Sequence, residues 1–238
     1  MKGVILITDV NLPKNPKINS SLVFSPPCAI IDIARWTKLS AVVMVCGTNF
    51  CTFVSDGRCV KFDKNGKVIG IRTDDFQKIF KLNEKLIYGT SGQFNLDGDI
   101  LAPFDEYPDK SVLTMNMAIK CIERHLERCN YGIGDRTFLL GGKNNKGQFQ
   151  LNTFVHKSSF SPVEKEVLIP SDGQFYVKTA IPPDVNQDDI RKLLNKNIYG
   201  TSPWGSLDDL KSHMRDTIMD ISKINNSVGG KIMEYTIV

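Results

Sequence analysis

Histidine is scarce in this chain: His125, His156 and His213 are the only three in 238 residues, far apart and in no metal-binding spacing such as HExxH. A histidine-built zinc site is therefore not expected. The six cysteines, Cys28, Cys46, Cys51, Cys59, Cys121 and Cys129, include no CxxC pair. Without a secretion signal they read as reduced thiols, and Cys46 and Cys51, in apolar strand-like sequence, as small core residues rather than nucleophiles. Long hydrophobic runs are also lacking. The longest, Val4 to Ile7 and Ala41 to Cys46, fall far below the roughly 18 residues that span a bilayer. Val4 to Ile7 is too short for a secretory h-region, and Asp9 interrupts it. The expectation is a cytoplasmic protein with no membrane contact. No charge of one sign dominates: 30 Lys and Arg against 26 Asp and Glu leave +4, scattered along the chain. A basic stripe for a phosphate backbone is missing, so nucleic acid is not an expected partner. Neither GxGxxG nor GxxxxGK[ST] occurs, which removes phosphate-cradling chemistry.

What is present is the balance of a folded protein, 41% hydrophobic and 24% charged. The first forty residues read as a strand over Gly3 to Thr8, a Pro- and Asn-rich connection around Pro13, Pro16, Pro26 and Pro27, and an apolar segment from Ala29 to Ala34. From Ser40 the pattern tightens. Ala41 to Cys46 and Cys51 to Ser55 are β-rich runs about a Gly47-Thr48-Asn49 turn, and Val60 to Phe62 pairs with Val68 to Ile71 about Lys64 to Lys67. Phe76 to Leu82 and Lys85 to Tyr88 flank the tight turn Asn83-Glu84. In Ser111 to Cys129 the apolar residues Val112, Met115, Ile119, Ile122 and Leu126 take helical spacing. Strand character returns at Thr137 to Leu140, Phe149 to Val155 and Phe175 to Ala180. Two helices follow, the second capped by Ser206 with Asp209 three residues on, carrying Leu207, Leu210, Met214, Ile218 and Ile221 and ending near Ile224. Gly229-Gly230 leads into a last strand, Lys231 to Val238. Blocks of strand separated by blocks of helix predict an α+β fold with antiparallel sheets.

The ordered set Ser40-Ala-Val-Val-Met-Val-Cys46, Thr52-Phe-Val-Ser-Asp56-Gly-Arg58, Gln77-Lys78-Ile79-Phe-Lys-Leu82 and Ile87-Tyr-Gly-Thr-Ser-Gly92 resembles the β-type subunits of the proteasome, within the N-terminal-nucleophile (Ntn) hydrolases. The resemblance runs from about Ser40 to Val238. It implies residues 1–39 as an N-terminal extension and 40–238 as a four-layer αββα domain. It also implies Ser40 at the nucleophile position, Asp56 and Lys78 as the supporting pair, and Gly92 as the oxyanion donor. In that chemistry the base is the free α-amine of the nucleophile residue itself, with an ordinary pKa of about 7.7–8.0. Lys78 favours alkoxide development and Asp56 holds Lys78 ionised. No cofactor is required. The implied partners are copies of itself in a ring-type assembly, and a peptide is the implied substrate.

The sequence departs from the family pattern in ways that bear on activity. Thirty-nine residues precede Ser40, so its nitrogen is an amide in the uncut chain, and Leu39 stands where the family has a glycine. The family's supporting serine and aspartate positions fall on Pro183, Asn225 and Val228. The stretch between Asp56 and Lys78 is longer than the family's. Two readings stay open: a catalytically silent protein of this fold working in assembly or binding, and a peptidase or amide hydrolase using Ser40 after loss of residues 1–39. In the first, Ser40 is a strand-start serine, Asp56 and Lys78 are a structural ion pair, and Gly92 is a glycine needed where strand meets helix.

Overall fold

The computed structural model describes residues 36–39, 41–63, 67–95, 100–128, 136–156, 163–181 and 185–238. The strand and apolar segment expected within residues 1–35 lie outside these, as do the Lys64 to Gly66 turn residues and Pro182 to Asp184. Twelve strands are described: β1 Trp36–Leu39, β2 Val42–Gly47, β3 Cys51–Ser55, β4 Cys59–Phe62, β5 Val68–Thr73, β6 Ile79–Asn83, β7 Leu86–Asn95, β8 Arg136–Lys143, β9 Phe149–His156, β10 Glu164–Leu168, β11 Phe175–Ala180 and β12 Met233–Ile237. The helices are α1 Met115–Arg128, α2 Gln187–Leu194 and α3 Leu207–Ile224, with a π-helical stretch at Asn195–Tyr199.

Every strand pair is antiparallel. The larger sheet has the order β10-β9-β8-β7-β1-β4-β5, with β6 also on β7, and the smaller is β11-β2-β3-β12. Three hydrophobic clusters sit in series. One joins α1, through Met115, Ala118, Ile122 and Leu126, to Leu86, Tyr88, Phe138, Leu140 and Phe154 of the larger sheet. A second lies between the sheets, where Met44, Cys46, Cys51 and Phe53 meet Ile79, Ile87, Leu139 and Leu151. The third covers the other face of the smaller sheet, Val43, Val45 and Val54 packing on Leu210, Met214, Ile218 and Ile221 of α3. Alternation explains this layering: successive residues of β2 point to opposite faces, and both faces are covered, so the strand is a continuous apolar run. Each fully buried Leu, Ile or Met contributes about 1.5–3 kcal/mol by removal from water.

The third helix follows its sequence signals closely: Ser206 accepts from the Asp209 N–H at 3.1 Å, and the helix stops at Ile224. The first is shorter than its periodicity predicts. Thr114 caps it, accepting from the Met117 N–H, while Lys110–Val112 makes a separate 3₁₀ turn and Val112 is exposed. The strand expected from Phe76 begins at Ile79, because the Phe76 N–H is spent on the Gly57 carbonyl at 2.8 Å. By contrast β7 runs seven residues past Tyr88, through a Gly-Thr-Ser-Gly sequence of low strand propensity, because β8 and β1 flank it and supply its ladder bonds. The sequence reading assigned Trp36–Leu39 to the N-terminal extension; they form β1 in the interior of the larger sheet, bonded to β7 on one side and β4 on the other.

Candidate functional site: a buried Asp56–Lys78 pair beside β1

Asp56 follows the last residue of β3 and Lys78 precedes the first residue of β6, so two strand ends from different sheets bring the charges together. The Lys78 Nζ donates to Asp56 Oδ1 at 2.5 Å, and both side chains are wholly buried. Three backbone N–H groups also donate to the carboxylate. Ala41 donates to Oδ1 at 2.8 Å, Arg58 to Oδ2 at 3.1 Å and Gly229 to Oδ2 at 2.9 Å. These donors stand in for the water that burial takes away from the carboxylate. Burial lowers the Lys78 pKa from the ordinary lysine value of 10.5, and outweighs the opposite pull of Asp56.

The frame around the pair is built from turns. After α3, the Asn225 side chain accepts from the Ser227 N–H at 2.8 Å and its hydroxyl at 2.6 Å, which turns the chain toward Gly229. Gly229 has φ 145° and Gly230 φ 75°, backbone that residues with a Cβ rarely adopt. A Cβ on Gly229 would come within 2.9 Å of the Arg58 guanidinium carbon. Arg58 braces the same turn, donating to Asp74 Oδ1 at 2.7 Å, Asn226 O at 3.1 Å and Val228 O at 3.4 Å. Asn225 and Val228, read from sequence as departures from the family pattern, thus make the turn that aims the Gly229 N–H at Asp56, and Val228 is buried under α3.

Of the four expected site residues, Asp56 and Lys78 are in direct contact. Gly92 lies inside β7 with φ 119°, not at a strand-to-helix junction. It is linked to Lys78 through the strand: the Thr90 N–H, two residues before it, donates to the Lys78 carbonyl at 3.0 Å. Gly92 is also the register partner of Leu39, which pairs on its other side with Cys59. Ser40 lies outside the described residues, but the residues on either side of it are placed: Leu39 on Gly92 and Cys59, Ala41 on Asp56. Thr90 and Ser91 are buried, and the Thr90 hydroxyl donates to the Thr137 carbonyl at 3.1 Å. Phe76, Phe80 and Tyr88 pack into the cluster under α1.

Sequence reasoning did not find the parts of this site that are backbone. The N–H groups of Ala41 and Gly229 carry no signature of residue type, and only the Gly229-Gly230 doublet hinted at unusual backbone there. Among the described residues no group of three or more His, Cys, Asp or Glu stands close enough to hold a metal ion, and no helix is long and apolar enough to cross a membrane. No protein-family model and no curated protein matches the chain.

Proposed function

We propose that the chain is an Ntn-type protein of the proteasome β-subunit kind, with the four-layer αββα arrangement, catalytically silent while uncut and working in assembly or binding. The observation that carries this reading is the position of β1. The four residues before Ser40 fill the strand slot between β7 and β4, and the chain then passes through residue 40 to Ala41, whose N–H is held by Asp56. While that connection is whole, the slot is occupied and the nitrogen of Ser40 is an amide, which accepts no proton. The partner in this reading is a further copy of the chain in a ring-type assembly, and no cofactor takes part.

A second reading rests on the buried Asp56–Lys78 pair. If the bond between Leu39 and Ser40 is cut and β1 leaves, residues 92–95 of β7 and 59–61 of β4 face each other as open strand edges, the geometry that binds an extended peptide through its backbone. Ser40 would then carry a free amine as base, Lys78 would favour the developing alkoxide, and the Gly92 N–H would serve the oxyanion, a contribution of about 3–4 kcal/mol. The deciding experiment is intact mass with N-terminal sequencing of wild type and Ser40→Ala after long incubation, alongside light scattering. Both proteins staying at 26.7 kDa and forming a defined oligomer supports the silent assembly reading. Wild type losing residues 1–39 while the variant stays whole supports the peptidase. A protein that stays whole and monomeric at every concentration removes self-assembly.

A further inference from the structure

Two thiols oppose each other across the β2–β3 hairpin. The register sets Cys46 against Cys51, and bonds at both ends of the hairpin define the kind of pair they make. The Asp56 N–H donates to the Ala41 carbonyl at 3.2 Å and the Gly47 N–H to the Phe50 carbonyl at 3.0 Å. Bonded and non-bonded pairs alternate along an antiparallel ladder, so counting inward from either end makes 46/51 a non-hydrogen-bonded pair. Such pairs hold their Cα atoms about 4.5 Å apart with the side chains on one face. That lies inside the range of roughly 4.4–6.8 Å that a disulfide bridges.

The surroundings suit a dithiol that changes state with little backbone travel. Both residues are fully buried between the sheets. Cys51 Sγ fills room that Gly141 of β8 leaves open, where an added Cβ would come within 2.5 Å of the sulfur. The turn that joins them is exposed at Thr48 and Asn49, which gives the hairpin end a way to open.

We propose that Cys46 and Cys51 form a cross-strand dithiol–disulfide site that a glutathione-type oxidant closes and a thiol reductant reopens. The thiolate of one cysteine attacks a sulfur of oxidised glutathione, giving a mixed disulfide and releasing one glutathione thiolate. The second cysteine, losing its proton, attacks the protein sulfur of that mixed disulfide and releases the second glutathione. Two protein thiols and one glutathione disulfide thus become one protein disulfide and two reduced glutathiones. Burial, and then the contact with Cys46, raise the Cys51 thiol well above its ordinary range, so thiolate is scarce in the closed hairpin. Closure is therefore slow in the folded protein and fast while the chain is folding.

The test uses the full chain. Native protein, and protein refolded from denaturant, are equilibrated with reduced and oxidised glutathione over a range of ratios, quenched with acid and alkylated with N-ethylmaleimide. Trypsin releases Leu39 to Arg58, a peptide holding Cys46 and Cys51 and no other cysteine. The expected result is this peptide lacking both adducts and two hydrogens lighter than its reduced form, in the refolded sample first. Its fraction falls as reduced glutathione rises, and the oxidised protein melts roughly 4–8 °C higher. The Cys46→Ser variant loses both the linked peptide and the shift. If Leu39 to Arg58 carries two adducts after refolding at every ratio, or if Cys46 or Cys51 stops at the glutathione mixed disulfide, the proposal is wrong.

Discussion

Replacing Asp56 with asparagine tests the logic of the buried pair most directly. Among the described residues, Oδ1 accepts from Ala41 and Lys78, and Oδ2 from Arg58 and Gly229. An amide turned either way puts an NH₂ group against two donors, and takes the carboxylate's negative charge away from the buried Lys78 ammonium. Removing one partner of a buried ion pair costs about 3–5 kcal/mol. In a chain of this size that lowers the melting temperature by roughly 6–20 °C. Lys78→Met should cost less, because the carboxylate keeps three backbone N–H donors and the methionine fills the space of the lysine stem. The two variants also separate by pH. The folded value of Lys78 lies below 10.5, its ordinary value, so between the two the unfolded chain binds more protons and stability from this group rises with pH. Wild type should gain on Lys78→Met as pH rises toward 10.5. The assay is urea unfolding of wild type and both variants at pH 7 and pH 10. Asp56→Asn within about 1 kcal/mol of wild type, or Lys78→Met the more damaged of the two, would refute the account, as would a wild-type advantage that shrinks as pH rises.

Gly229→Ala strains a φ of 145° and drives a methyl into Arg58, so it should destabilise by about 1–3 kcal/mol. Chemical denaturation measures this, and pairing with Arg58→Ala should recover part of the loss by removing the clash. Asp220 accepts from Lys223, Asn197 and Lys196, which lower its pKa to about 2. Its stabilisation is fully present above the ordinary value of 3.8 and drains away as pH falls toward 2. The difference in melting temperature between wild type and Asp220→Asn should therefore be larger at pH 6 than at pH 2.

Local pattern carried much of the fold. The Ser206 cap with Asp209, the leucine and isoleucine spacing of α3, and the β2–β3 hairpin about Gly47 to Asn49 were legible because each depends on residues close in sequence, where periodicity and side-chain capping act alone. The family resemblance of the motifs around Asp56 and Lys78 named two charges that the fold brings into contact, although the stretch between them is longer than the family's. What only tertiary structure decided is long-range pairing. Trp36–Leu39 have no strong strand signal, yet they lie between β7 and β4, because two neighbours with open ladder groups impose extended backbone on whatever enters. The same holds for the second half of β7, between β8 and β1, and the pattern did not predict the charged edge strand β10 on β9 either. Within the site, sequence supplied the two side chains, while the fold supplied the Ala41, Arg58 and Gly229 N–H groups that bond the buried carboxylate in place of water. Backbone donors are common to every residue but proline, so no pattern of residue types could have named them.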